Sequence, residues 1–268
     1  MKHYHRVLTI AGSDSGGGAG IQADIKTIQS LGCYATSAVT AITVQNTMGV
    51  KSVFGVPADV VAGQIDAVLE DIGVDAIKIG MLQSADIVEC IVQRLRTYNI
   101  NNVVIDPVML STSGHRLIEE KAIEALENDL IPLARVITPN IPEAELLLGG
   151  RKLSGAECLP DAARELSEKY GVSVLLKSGH LDAEKLVDYF YDAEQHVTIE
   201  LPSVRVHTKN THGTGCTMSS AFASCLAKGM SLQDAARGAK KYINDARIGG
   251  AEYEIGHGHG PVLFELKN

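Results

Sequence analysis

The sequence has only five cysteines, Cys33, Cys90, Cys158, Cys216 and Cys225, and no two stand at C-x-x-C spacing. An odd, unpaired set excludes a disulfide framework and fits a reducing cytoplasm. Net charge is −8 and no block of Lys or Arg interrupts it. That argues against a nucleic-acid surface and against a polybasic membrane patch. No apolar run approaches the roughly 18 residues that a membrane span needs. The first residues, Met1 to Arg6, lead into a short apolar run cut by Gly12, too short for a signal peptide. There is no G-x-x-x-x-G-K-[ST], which disfavours a Walker-type ATPase. There is no H-E-x-x-H, and the short pairs His3/His5 and His257/His259 lack a third ligand, so a structural zinc site is not expected. Linkers, composition breaks, low-complexity segments and internal repeats are all missing. Residues 1–268 therefore read as one domain.

What is present is alternation. Apolar runs short enough for buried strands alternate with segments of helical periodicity. Strands are expected at Arg6–Ala11, Tyr34–Val44, Asp75–Gly80, Val103–Ile105, Val136–Thr138 and Val172–Lys177. Helices are expected near residues 21–31, 58–72, 84–98, 119–130, 216–227 and 231–248. Leu186–Tyr191 and Val197–Leu201 read as a hairpin, the one clearly antiparallel element. Such alternation implies an α/β fold: three layers, a mostly parallel central sheet with helices on both faces, and a small β-hairpin flap. The hairpin interrupts the alternation, so a lid over the ligand is expected of it.

The polar clusters recur at the carboxyl ends of the strands, where such sheets bind ligands. Gly12 to Gly20 holds four glycines in five residues directly after the first strand. Gln45-Asn46-Thr47, Lys78-Ile79-Gly80-Met81-Leu82, Asp106-Pro107-Val108-Met109 with Ser111 to Gly114, and Thr138 to Glu143 follow later strands. Asn210-Thr211-His212-Gly213-Thr214-Gly215-Cys216-Thr217 joins an extended run to a helix. Its glycines let backbone N–H groups approach a guest, and a helix N-terminus suits an anion. With a thiol in the same field, this stretch points to phosphoryl transfer. It also fits an ordinary strand-to-helix turn with a buried cysteine.

These ordered blocks resemble the ribokinase superfamily over nearly the whole chain. Within it they resemble the hydroxymethylpyrimidine and phosphomethylpyrimidine kinases of thiamin synthesis. Cys216 stands where most ribokinase relatives carry aspartate, which disfavours a sugar kinase. Departures are Ser178 for a second glycine, His115 for a common aspartate, and Val262-Leu263-Phe264 in place of the usual Asn-His.

The resemblance implies that ATP phosphorylates the hydroxymethyl oxygen of an aminopyrimidine (HMP), and then HMP phosphate. It implies an anion hole at Gly213, Thr214, Gly215 and Cys216. It implies a pyrimidine pocket at Gly12, Ala19, Asp24, Val44, Gln45 and Met81. Lys177, Thr211, and Lys240 or Lys241 are candidates for the nucleotide phosphates. Asn140 and Glu143, assisted by Asp106, would organise Mg²⁺; helix capping is an equally compatible role for Asn140 and Glu143. A homodimer is implied as well. The Cys216 thiol is expected to titrate below about 8.5 at its helix N-terminus and to serve as general base. The rivals are a vitamin B6 (pyridoxal) kinase and a non-catalytic binding protein on the same fold.

Overall fold

The computed structural model describes residues 2–109, 118–179 and 185–265. The Ser111 to Gly114 loop, His115 and His180 lie outside the described residues. The strands are β1 (Arg6–Asp14), β2 (Tyr34–Asn46), β3 (Gly49–Gly55), β4 (Ala76–Ile79), β5 (Val103–Ile105), β6 (Val136–Ile137), β7 (Ser173–Leu176), β8 (Lys185–Asp192) and β9 (Val197–Val204). The helices are α1 (Gly20–Ser30), α2 (Ala58–Asp71), α3 (Ala85–Thr97), α4 (Glu120–Ala125), α5 (Ile141–Leu147), α6 (Leu159–Tyr170), α7 (Thr214–Ala227) and α8 (Leu232–Gly250).

All nine strands form one sheet in the order β3-β2-β1-β4-β5-β6-β7-β8-β9. The pairs from β2 through β1 and β4 to β7 are parallel, while β2–β3, β7–β8 and β8–β9 are antiparallel. The expected three-layer α/β arrangement is what the chain adopts. Strand alternation sorts the core into two layers. Leu8 and Ile10 of β1 and Ile77 and Ile79 of β4 pack with Val61, Ile65, Ile87 and Ile91 on one face. Val7, Ala76, Val104 and Leu175 pack with Ile28, Met218, Phe222 and Ile243 on the other. Helix α7 lies between the sheet and α8, and every residue from Thr217 to Ala227 is buried.

Two expectations are corrected. A second hairpin, β2–β3, extends the opposite edge, although Gly49–Gly55 has only Val50 buried and so little apolar pattern to read. The β8–β9 hairpin is the sheet's outer edge and not a lid over it, because β8 pairs with β7 along Val174–Leu176. The helix expected over 119–130 is present as α4, continued by a wider π-helical segment at Leu126–Leu130 and followed by a tighter turn at Ile131–Leu133.

From β1 the chain moves outward to β2 on one side, then returns to β4 on the other. Such a switch leaves a crevice beyond the carboxyl ends of the strands. A cavity of about 1570 Å³ lies there.

Candidate active site

Two glycine loops form the floor of the cavity. In the first, after β1, the buried Asp14 carboxylate accepts N–H groups from Gly16 (2.8 Å), Gly18 (3.0 Å) and Ala19 (2.8 Å). His212 Nε2 lies 3.0 Å from the same carboxylate and bridges to the second loop. Burial works against the Asp14 charge, but the bonds from His212, Ala19 and Gly16 outweigh it and hold the carboxyl below its ordinary range. The second loop turns at Gly213 with φ +76°. A Cβ there would overlap the Gly18 carbonyl oxygen, so the loops pack backbone to backbone.

Helix α7 starts immediately at Thr214, so its first turn, whose N–H groups have no partner within the helix, lines the cavity. Thr211, Gly213, Thr214, Gly215 and Cys216 all line it, as the sequence led us to expect. A Cβ on Gly215 would stand 3.1 Å from Asp106 Oδ2 and 3.2 Å from Lys177 Nζ. Lys177 donates to Asp106 Oδ1 at 2.8 Å, and Thr138 Oγ1 donates to the same oxygen at 3.1 Å. Burial opposes the Lys177 charge, yet Asp106 and then Glu143 raise its pKa.

Asn140 and Glu143 form a capping box on α5: Glu143 N–H donates to Asn140 Oδ1 at 2.9 Å, and Asn140 N–H to Glu143 Oε2 at 2.8 Å. Both also line the cavity. Burial pushes the Glu143 carboxyl up to about 7, Lys177 pulls against it, and Asp106 adds to it. Among the described residues no cluster of three His, Cys, Asp or Glu side chains could hold a metal ion alone. Two hard carboxylates beside the first turn of α7 would suit Mg²⁺ shared with phosphates and water.

Beside the first glycine loop Gly12, Ala19, Gln45 and Met81 line the cavity. Gln45 Oε1 accepts from Thr43 Oγ1 at 3.1 Å, and its amide nitrogen lies 3.1 Å from His212 Nε2.

Several expected residues fall elsewhere. Val44 does not reach the cavity: Thr43 and Gln45 point inward, so strand alternation turns Val44 out, and it is 53% exposed. Asp24 also stays off the cavity. It is fully buried, pairs with Lys78 at 2.9 Å, and accepts Thr9 Oγ1 and Ser220 Oγ. Of the two helical lysines only Lys240 lines the cavity, buried against Asp188 at 2.6 Å; Lys241 is exposed and pairs with Asp245. Asp188 in turn accepts the Ser178 N–H and hydroxyl.

The Cys216 thiol departs furthest from expectation. Burial pushes it up to about 11, with Lys78 pulling it down and Asp24 and Asp106 pushing it further up. Desolvation thus runs against the lowering expected at a helix N-terminus and favours the neutral thiol. We accordingly expect Cys216→Ala to keep kcat within about tenfold of the parent near pH 7.5. A loss of about 10²-fold or more, with kcat of the parent climbing steadily as pH rises, would restore the thiolate as base.

Sequence reading missed Asp14 and His212 as partners across the loops. Both sit inside the glycine-rich blocks, and an acid among backbone N–H groups was the available signal.

A family model described as phosphomethylpyrimidine kinase matches residues 14–263. The Geobacter sulfurreducens thiamine biosynthesis bifunctional protein ThiED is 50% identical over 96% of this chain, which spans 51% of that protein. The Rhizobium meliloti hydroxymethylpyrimidine/phosphomethylpyrimidine kinase is 46% identical, with 95% of each chain covered. The crystal structure of an ADP complex of Bacillus subtilis pyridoxal kinase superposes with a TM-score of 0.88 at 38% identity, covering 98% of both chains. With the two loops and the α7 N-terminus in place, the chain belongs to the phosphomethylpyrimidine kinase family.

Proposed function

We propose that this protein transfers the γ-phosphate of ATP to the hydroxymethyl oxygen of 4-amino-5-hydroxymethyl-2-methylpyrimidine, and then phosphorylates the monophosphate to the pyrophosphate, in thiamin biosynthesis. The observation that carries this is the α7 N-terminus, flanked by Gln45 and Met81 on one side and by Lys177 and Asp106 on the other.

Phosphoryl transfer is chiefly positioning and charge stabilisation. The N–H groups of Gly213 to Cys216 receive the transferring group. Lys177 balances charge on the donor side. Asp106 and Glu143 would hold Mg²⁺, largely through water, and Mg²⁺ would neutralise phosphate charge. Both lysines are paired, Lys240 with Asp188 and Lys177 with Asp106, but Lys177 stands beside Gly215 at the start of α7, so we take it as the phosphate ligand. Gln45 presents a donor and an acceptor to the ring, and Met81 closes against Gly12, where a Cβ would lie 3.1 Å from its sulfur.

Gln45→Leu is expected to raise the pyrimidine KM by about 5- to 150-fold, the cost of leaving ring polar groups unpaired at about 1–3 kcal/mol. An unchanged KM would remove Gln45 from the pocket. The broader test is incubation with Mg²⁺ and ATP plus either the pyrimidine or pyridoxal, read by mass spectrometry. Phosphorylation of pyridoxal alone would favour the vitamin B6 reading. Ligand binding with no phosphorylated product would favour a binding protein.

We read residues 1–268 as one kinase domain working in the cytoplasm. No described helix is long and apolar enough to cross a membrane, and the five cysteines are unpaired. We place a homodimer contact on the β2–β3 face, where Ile42, Val44 and Phe54 are 51%, 53% and 67% exposed. Ile42 pairs with Phe54, so the three share one face. A monomeric mass by sedimentation would remove this contact.

A further inference from the structure

Lys78 is a fully buried cation set where strand alternation calls for an apolar residue. Ala76, two positions earlier on β4, packs in the layer under α1 and α7, and Lys78 enters that same layer. Its ammonium lies 2.9 Å from Asp24 Oδ2. Asp24 is fixed by two donors, Thr9 Oγ1 at 2.6 Å and Ser220 Oγ at 2.8 Å. Ser220 stands one turn after Cys216 on α7, and Asp24 one turn after Gly20 on α1. The Gly20 N–H acts on the Cys216 thiol and favours its charged form. The Ser220–Asp24 bond thus ties α7 to α1 one turn beyond their starts, with Lys78 bonded to the same carboxylate. A Cβ on Gly80 would stand 2.7 Å from Lys78 Nζ, so the backbone beyond β4 leaves room for the ammonium.

We propose that Lys78 is a positioning residue of the anion hole: its buried charge, held in place by Asp24, sets the electrostatic potential at the first turn of α7. Lys78 touches neither ligand. It acts through a dry interior in which a charge is screened far less than in water. The catalytic consequence rests on the phosphotransfer reading, because the transferring group gathers negative charge at that turn. The potential itself is readable without substrate, at Cys216. The groups that act on this thiol are Lys78 from β4, Asp24 and the Gly20 N–H from α1, Asp106 beyond β5 and Lys177 beyond β7. Of the ion pair, the ammonium acts on the thiol more strongly than the carboxylate.

The test is peptide-resolved alkylation of Cys216 by iodoacetamide in ligand-free protein, from about pH 7 to 9.5. The thiolate is the nucleophile, so the rate follows its population, and a thiol pKa that moves by about 1 changes the rate about 3- to 10-fold at fixed pH. Lys78→Met is expected to slow alkylation at least about threefold. Asp24→Asn is expected to speed it by a similar factor. A purely structural role would loosen the hole in both variants and speed alkylation in both. The double variant Lys78→Met/Asp24→Asn replaces the ion pair by a neutral pair of similar size. It carries the test if a single variant fails to fold, and is expected to be slower than the parent. Same-direction changes in the two single variants, or an unchanged rate in the double variant, overturn the proposal. A lower kcat in Lys78→Met at unchanged pyrimidine KM is the second expected result. Altered alkylation with kcat intact would overturn the catalytic part and leave the phosphotransfer reading untouched.

Discussion

Gly213→Ala is expected to lower kcat by about 10³-fold or more. Two costs act at that position. Alanine at φ +76° is strained by about 1–2 kcal/mol. More important, its methyl group would occupy the space of the Gly18 carbonyl. Relief requires the two glycine loops to part by an ångström or so. Gly12 and Ala19 line the cavity beside the first loop and Gly213 to Cys216 beside the second, so parting the loops would move the acceptor proposed above away from the transferring phosphoryl group. A misplacement of about 1 Å costs about 10²-fold, and a lost anion-hole donor about as much again. Gly171→Ala is the control. Gly171 has φ +72° at the end of α6 and open space around its missing Cβ. It is expected to lose about 1 kcal/mol of stability and no kcat. If Gly213→Ala behaves like Gly171→Ala, the loop contact has no catalytic meaning.

The contrast between those two glycines is one that sequence could not make. Both mark a helix boundary, and only the partner across space separates them. The same limit explains Asp24. Read locally, it is an acid in the first turn of α1 and a pocket residue by resemblance. Its real partner, Lys78, lies 54 residues away and turns it inward. Cys216 failed differently. The local argument counted the helix N-terminus alone, whereas desolvation by the surrounding protein raises the thiol and belongs to the fold. Lys240 and Lys241 were separable from sequence. Lys240 falls on the helical face of Ala236, Ala239 and Ile243, all buried, whereas Lys241 is rotated about 100° away. The mostly parallel sheet and the lining of the cavity by its strand-end loops were legible because each buried run is short and ends in a polar cluster. The β3 strand was not, because it is a weakly apolar edge.

Lys177→Met is expected to lower kcat by about 10²–10³-fold, about 3–4 kcal/mol of transition-state stabilisation. The ammonium stands beside Gly215, against Asp106 Oδ1 at 2.8 Å, and keeps its charge because two carboxylates face it. Methionine keeps much of the volume and removes the cation. The phosphoryl group would then meet Asp106 and Glu143 without the charge that balances them. Stability should fall too, and with a definite pH dependence. Lys177 already pulls down the Glu143 carboxyl, which burial holds near 7. Without it the carboxyl rises further above its unfolded value. Stability tied to a raised pKa is present below the ordinary carboxylate range and is lost as pH climbs toward the folded value. The melting temperature of the variant, measured without Mg²⁺, should therefore trail the parent more at pH 8 than at pH 5. A deficit that is flat or shrinks with pH would show that Lys177 does not govern these carboxylates. A kcat within about tenfold of the parent would move the donor-side charge to another residue, with Lys240 next in line.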